Sequence, residues 1–98
     1  MVEIRWTSRF RDWMRDLRDP NARAKIMSRI ERLEAGHAGD VRWVGESVLE
    51  MRIHSGPGYR IYFTRRDKQV VLLLAGGDKN TQSSDIRIAI QLARDYRE

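Results

Sequence analysis

Between Leu49 and Phe63 the chain alternates strictly on both sides of a four-residue turn. Leu49, Met51 and Ile53 are apolar and Glu50, Arg52 and His54 polar. After Ser55-Gly56-Pro57-Gly58, Tyr59, Ile61 and Phe63 alternate with Arg60, Tyr62 and Thr64. Period-two patterning around turn residues predicts an antiparallel hairpin, and a one-residue slip would send every apolar side chain to the wrong face. The odd-numbered set therefore faces the core. Arg52, His54, Arg60 and Tyr62 are left together on the opposite face, gathered by register rather than by adjacency.

A third run, Val70 to Ala75, is apolar throughout, as expected of an interior strand covered on both faces. Arg65-Arg66-Asp67-Lys68-Gln69 connects it to the hairpin, completing a three-strand meander. Gly76-Gly77 permits a sharp exit and delivers Lys79 near the edge of the same sheet.

The flanking segments supply helices. Val2 to Trp6 suits a short strand, and Thr7 or Ser8 can cap a helix carrying Phe10, Trp13, Met14 and Leu17 on one stripe. Asp19 and Pro20 are suited to the N-cap and first position of a second helix that buries Ala22, Ile26, Ile30 and Leu33 and stops at Gly36. These two helices form a hairpin against the sheet. Residues 36–47 read as a loop, with Trp43 pinning it to the domain. Thr81 is placed to cap a last helix that buries Ile86, Ala89, Ile90, Ala93 and Tyr96. The order is βααβββα: an α+β fold with an N-terminal strand and a helical hairpin packed on a small, mainly antiparallel sheet, closed by a C-terminal helix. Residues 1–98 make a single domain.

Charge narrows the partners. The chain carries 19 Lys+Arg against 14 Asp+Glu, a net +5, and residues 41–80 hold +3 of it. An anionic partner is favoured: nucleic acid, an acidic protein or a membrane surface. With no cysteine there is no disulfide or thiol chemistry, and with no long apolar run or signal region the expected location is the cytoplasm, with no membrane partner. The two histidines, 17 residues apart, lack metal-ligand spacing. Gly56-x-Gly58 turns between strands and is no phosphate loop. No catalytic triad and no carboxylate pair stands out, so neither a metal nor a cofactor is expected.

Three stretches, Glu50-Met51-Arg52-Ile53, Gly58-Tyr59-Arg60-Ile61-Tyr62-Phe63 and Leu74-Ala75-Gly76-Gly77-Asp78-Lys79-Asn80-Thr81-Gln82, followed by Asp85-Ile86, resemble the RelE/ParE superfamily of bacterial toxins. The likeness is to its HigB-like, phage-derived "addiction module killer" branch and covers nearly the whole chain. It implies a RelE-like fold and the toxin of a type II toxin–antitoxin system, a ribosome-dependent mRNA endoribonuclease. The implied partners are the ribosome and mRNA, and a cognate helix-turn-helix antitoxin of HigA-like type. Operator DNA would be met only through the antitoxin complex. The superfamily also contains ParE-like toxins that bind DNA gyrase and cut nothing. A further alternative is a phage homologue that only binds RNA or its partner.

A basic face can cleave RNA because the substrate's 2′-hydroxyl is the nucleophile. The protein must hold the backbone in line, move protons and neutralise the phosphate, for which the planar arginine fork is suited. By resemblance, Arg60 stabilises the phosphate, Arg52 binds phosphate or tunes a neighbour, and Lys79 stabilises the leaving group. His54, the cluster's one side chain that ordinarily titrates near neutrality, is the candidate acid or base. Tyr62, Arg65, Arg66, Gln82 and Trp43 are the candidates for RNA contact. Structural roles compete with these. Arg60 can pair with Glu50 across the hairpin, His54 can be an exposed turn residue, Lys79 and Gln82 can form a helix-start network, and Tyr62 can be a core partner.

Overall fold

A computed structural model describes residues 1–96 of the chain. Its elements are β1 (Glu3–Trp6), α1 (Ser8–Asp16), α2 (Pro20–Glu34), β2 (Val41–Gly45), β3 (Val48–Ile53), β4 (Tyr59–Arg65), β5 (Val70–Gly77) and α3 (Gln82–Asp95). The sheet order is β1-β5-β4-β3-β2, with β1 parallel to β5 and the other neighbours antiparallel. The α+β architecture and the meander agree with the sequence expectation. The strand count does not: β2 adds an edge strand inside the segment read as a loop. Its signal was Val41 to Val44, a short β-branched and aromatic run followed by a tight turn at Glu46 and Ser47.

Helix starts follow local chemistry. The Thr7 hydroxyl accepts the Phe10 amide at 3.1 Å, and the Asp19 carboxylate accepts the Ala22 amide at 3.1 Å with Pro20 next to it. The four apolar positions expected on α2 are all buried. Ile26, Ile30 and Leu33, together with Phe10 and Met14 of α1, cover Met51, Ile53, Ile61, Phe63, Val71 and Leu73 on one face of the sheet.

The other face is also covered. Val48, Tyr62, Leu72, Leu74 and Ala75 pack against Ala89 and Ala93 of α3. The even-numbered side of the hairpin is thus no open cationic surface, because α3 returns across its middle. Val48 and Thr64 at the far end are buried as well, and it is the turn end, with Arg52, His54 and Arg60, that remains accessible.

A register shift sets where β5 delivers its last residues. Tyr62 pairs with Ala75 and Phe63 with Leu73, leaving Leu74 as the extra residue of a bulge. Its carbonyl accepts the Thr7 hydroxyl at 2.7 Å. Beyond the bulge the alternation is inverted, so Gly76 faces α1 and Gly77 faces α3. Both glycines remain in the strand rather than making the expected sharp exit. They are required by close approach: a Cβ on Gly76 would overlap the Trp13 indole, and one on Gly77 the Asp85 carboxylate. Gly76→Ala should destabilise the domain by about 2 kcal/mol through overpacking. Thermal unfolding checks this, an unchanged midpoint being the contrary result.

Candidate functional site

The site is built around a buried carboxylate. Glu50 is fully buried on β3, directly opposite Tyr62 and diagonal to Arg60 on β4. Burying a carboxylate is costly unless donors surround it. Here Arg42 Nε donates at 3.1 Å, the Tyr62 hydroxyl at 3.1 Å and Gln82 Nε2 at 2.7 Å, while Arg60 Nε lies 3.5 Å from the same carboxylate. The Arg60 Nη1 donates to the Gly58 carbonyl at 2.8 Å. Arg60 is thereby held along the strand, and among the described residues its second terminal nitrogen has no hydrogen-bond partner.

Tyr62 departs from its expected place. It is buried to the last atom rather than displayed for base stacking, and burial followed by the charge of Glu50 pushes its phenol well above the ordinary tyrosine range. It acts as a hydrogen-bond donor to Glu50. Gln82 at the start of α3 does the same, so its side chain serves the interior.

A second carboxylate organises the end of β3. Arg52 faces Arg60 across the hairpin. Its Nη2 lies 3.3 Å from Asp40 Oδ1, and His54 Nε2 lies 2.7 Å from Asp40 Oδ2. The hydrogen bond from His54, then that from Arg52, holds the Asp40 carboxyl below its usual range. Asp40 was not anticipated. A single aspartate between Gly39 and Val41 carries no motif, and only the folded path of the segment after α2 brings it here.

Lys79 opens a 3₁₀ turn, Lys79–Thr81, capped by Asp78, whose side chain accepts the amides of Asn80 and Thr81. Thr81 supplies no side-chain cap to α3; its hydroxyl donates to Asp85 instead. Lys79 is exposed and, among the described residues, has no hydrogen-bond or ion-pair partner. A Cβ on Gly58 would lie 3.2 Å from Arg60 Nη1 and 3.5 Å from Lys79 Cβ, so Gly58 lies between the Arg60 guanidinium and the base of the Lys79 side chain. Gly58 also has φ +81°, a conformation that favours glycine. Arg52, His54, Gly58, Tyr59 and Arg60 line a cleft of about 370 Å³ beside it.

The chain matches the family described as phage derived protein Gp49-like over residues 12–97. It belongs to that family. An uncharacterized protein of Haemophilus influenzae is 42% identical over 94 residues, spanning 96% of this chain and 95% of the relative. Among solved structures, the free-state structure of a mutant Escherichia coli RelE toxin superposes with a TM-score of 0.74 at 19% identity, covering 97% of this chain and 98% of that one. A chain of the intact E. coli RelBE toxin–antitoxin complex gives 0.62 at 21% identity, covering 80% of this chain and 96% of that one. A phage-derived family, as expected from the residues, is the one found, and the Gp49-like chain has the RelE fold.

The remaining candidates do not join the cleft of this Gp49-like domain. Arg65 ends β4, five residues from Arg60 and so roughly 17 Å along the strand. Arg66 donates to the Ala93 carbonyl and lies 5.7 Å from the Tyr96 ring centroid, which ties it to α3. Trp43 is 68% exposed on the edge strand, its indole donating to the Glu46 carbonyl at 2.7 Å. It does not pin a loop; Val41 and Val44 make the core contacts of β2.

Glu50→Gln should cost roughly 3 kcal/mol, because the side chain of Arg60 would be left in a largely buried place without its countercharge. Urea unfolding measures this directly. A loss below that of an exposed substitution would mean that Glu50 holds nothing.

Proposed function

We propose that the chain is the toxin of a type II toxin–antitoxin pair and acts in the cytoplasm as a ribosome-dependent endoribonuclease on translated mRNA. It uses the substrate's own 2′-hydroxyl, with no cofactor. The observation that carries this reading is the gathering of Arg52, Arg60 and His54 on one cleft at the turn end of the hairpin, with Lys79 beside Gly58 at its rim. The RelE fold supports it, since the E. coli proteins of that fold are a toxin and a toxin–antitoxin complex.

The chemistry divides among these side chains. A phosphodiester lying across Gly58 meets Arg60 and Lys79 from two sides. The 2′-oxygen forms its bond to phosphorus as the bond to the 5′-oxygen breaks. His54 is positioned at the cleft wall to take the 2′-hydroxyl proton. Arg60 and Arg52 offset the charge growing on the phosphate oxygens, and Lys79 offsets that on the departing 5′-oxygen, which takes a proton from water. The products are a 2′,3′-cyclic phosphate and a 5′-hydroxyl. A cognate HigA-like helix-turn-helix antitoxin silences the toxin, and the complex meets operator DNA through the antitoxin.

One observation favours a second reading. Arg52 and Arg60 each already face a protein carboxylate, Asp40 and Glu50. A ParE-like toxin that binds DNA gyrase without cutting RNA has no need of free arginines in this cleft.

The two readings separate on mRNA 5′ ends mapped on translated and untranslated copies of one message. Wild-type protein should create new ends on translated message only. Lys79→Ala should lower their yield by roughly a hundredfold, and Arg60→Ala should abolish them. Lys79→Ala is the cleaner variant because Arg60 also faces buried Glu50. Growth arrest with intact messages and altered DNA topology would establish the gyrase reading instead.

A further inference from the structure

We propose that Asp40 is a positioning residue that acts through His54, fixing the imidazole so that Nδ1 is the ring atom presented for proton transfer. The proposal rests on the nuclease reading. An aspartate carboxylate accepts hydrogen bonds and donates none, so the 2.7 Å contact requires the proton on His54 Nε2. In the neutral ring Nδ1 is then the basic atom. His54 itself is exposed, its side chain about 74% accessible, and without a partner it would sample many rotamers.

The support behind Asp40 is more elaborate than an exposed ion pair needs. Arg29 of α2 donates Nη1 to the Arg52 carbonyl at 2.8 Å and Nη2 to the Ala38 carbonyl at 3.1 Å, with the Asp40 carbonyl 3.4 Å away. The Arg52 amide also donates to the Asp40 carbonyl at 3.1 Å. Burial and the nearby Arg32 charge lower the affinity of Arg29 for its proton, so this clamp is held at an electrostatic cost. Gly39, at φ +76°, lies against the same guanidinium; a Cβ there would fall 2.9 Å from Arg29 Nη2. One clamp therefore ties the segment before β2 to the end of β3, and what it brings together is Asp40 with His54 and Arg52. Lys25 adds a contact at 3.5 Å to the His54 carbonyl.

A carboxylate so placed has two opposite possible effects. As an orienting group it accelerates the chemical step. As a competitor for Arg52 it keeps substrate phosphate away. The shorter contact belongs to His54, which favours orientation.

The test is single-turnover cleavage of ribosome-bound message in a reconstituted translation system, with toxin concentration varied to separate the maximal rate from half-saturation. The proteins are wild type, Asp40→Asn, His54→Gln and the double variant, with folding checked by circular dichroism. Asp40→Asn should lower the maximal rate by at least roughly tenfold with half-saturation unchanged. The double variant should be no slower than His54→Gln alone, since the carboxylate acts through the ring. An undiminished rate, tighter half-saturation for Asp40→Asn, or independent losses that multiply in the double variant would each overturn the positioning role while leaving the nuclease reading intact. No cleavage by the wild-type protein overturns both.

Discussion

The carboxylate of Glu50 has no access to solvent and is surrounded by four polar side chains from three segments of the chain. Arg42 comes from the edge strand, Tyr62 and Arg60 from the neighbouring strand, and Gln82 from the first turn of the last helix. A buried charge of this kind contributes little net stability when satisfied, yet is costly to leave unsatisfied. Its consequence is specificity of arrangement. It demands that α3 begin beside β3, that Tyr62 point inward, and that Arg60 lie along the hairpin toward Gly58.

Two glycines make that arrangement sterically possible. Gly77 lets Asp85 approach the sheet, and Gly76 lets the Trp13 indole settle on the other side. The bulge at Leu74, held by the Thr7 hydroxyl, assigns each glycine to its face. The chain then turns through Asp78 and sets Lys79 next to Arg60 across Gly58. The cationic cleft is thus assembled at the turn end of the hairpin, beyond the part of the sheet that α3 packs against. Its opposite wall is ordered separately, by Arg29 and Asp40.

Much of this was legible in the sequence, for stated physical reasons. Strict alternation in the hairpin put Arg52 and Arg60 on one face, and the cap signals at Thr7 or Ser8 and at Asp19 marked both early helices. The pairing of Arg60 with Glu50, one of the competing structural roles, is the one found. Legibility ended where tertiary coverage decides the outcome. Alternation says that Tyr62 and Arg60 share a face, but not that α3 covers the first and spares the second. Gly76-Gly77 carried the chemistry of a turn, while its use is close packing set by a bulge that no residue type announces. Arg65 and Arg66 looked contiguous with the site in sequence, yet the strand carries them to the far end of the sheet. Asp40 is silent in the sequence because its role depends on a loop path clamped by a helix arginine.

The central claim is that Glu50 and Arg60 are coupled inside the fold before any substrate arrives. A double-mutant cycle with Glu50→Gln, Arg60→Met and the pair, read by equilibrium urea unfolding, tests it most directly. The account predicts that the double variant is more stable than Glu50→Gln alone by on the order of 1–2 kcal/mol, because the unpaired buried cation is gone. Losses that add, with no coupling between the two positions, would contradict it.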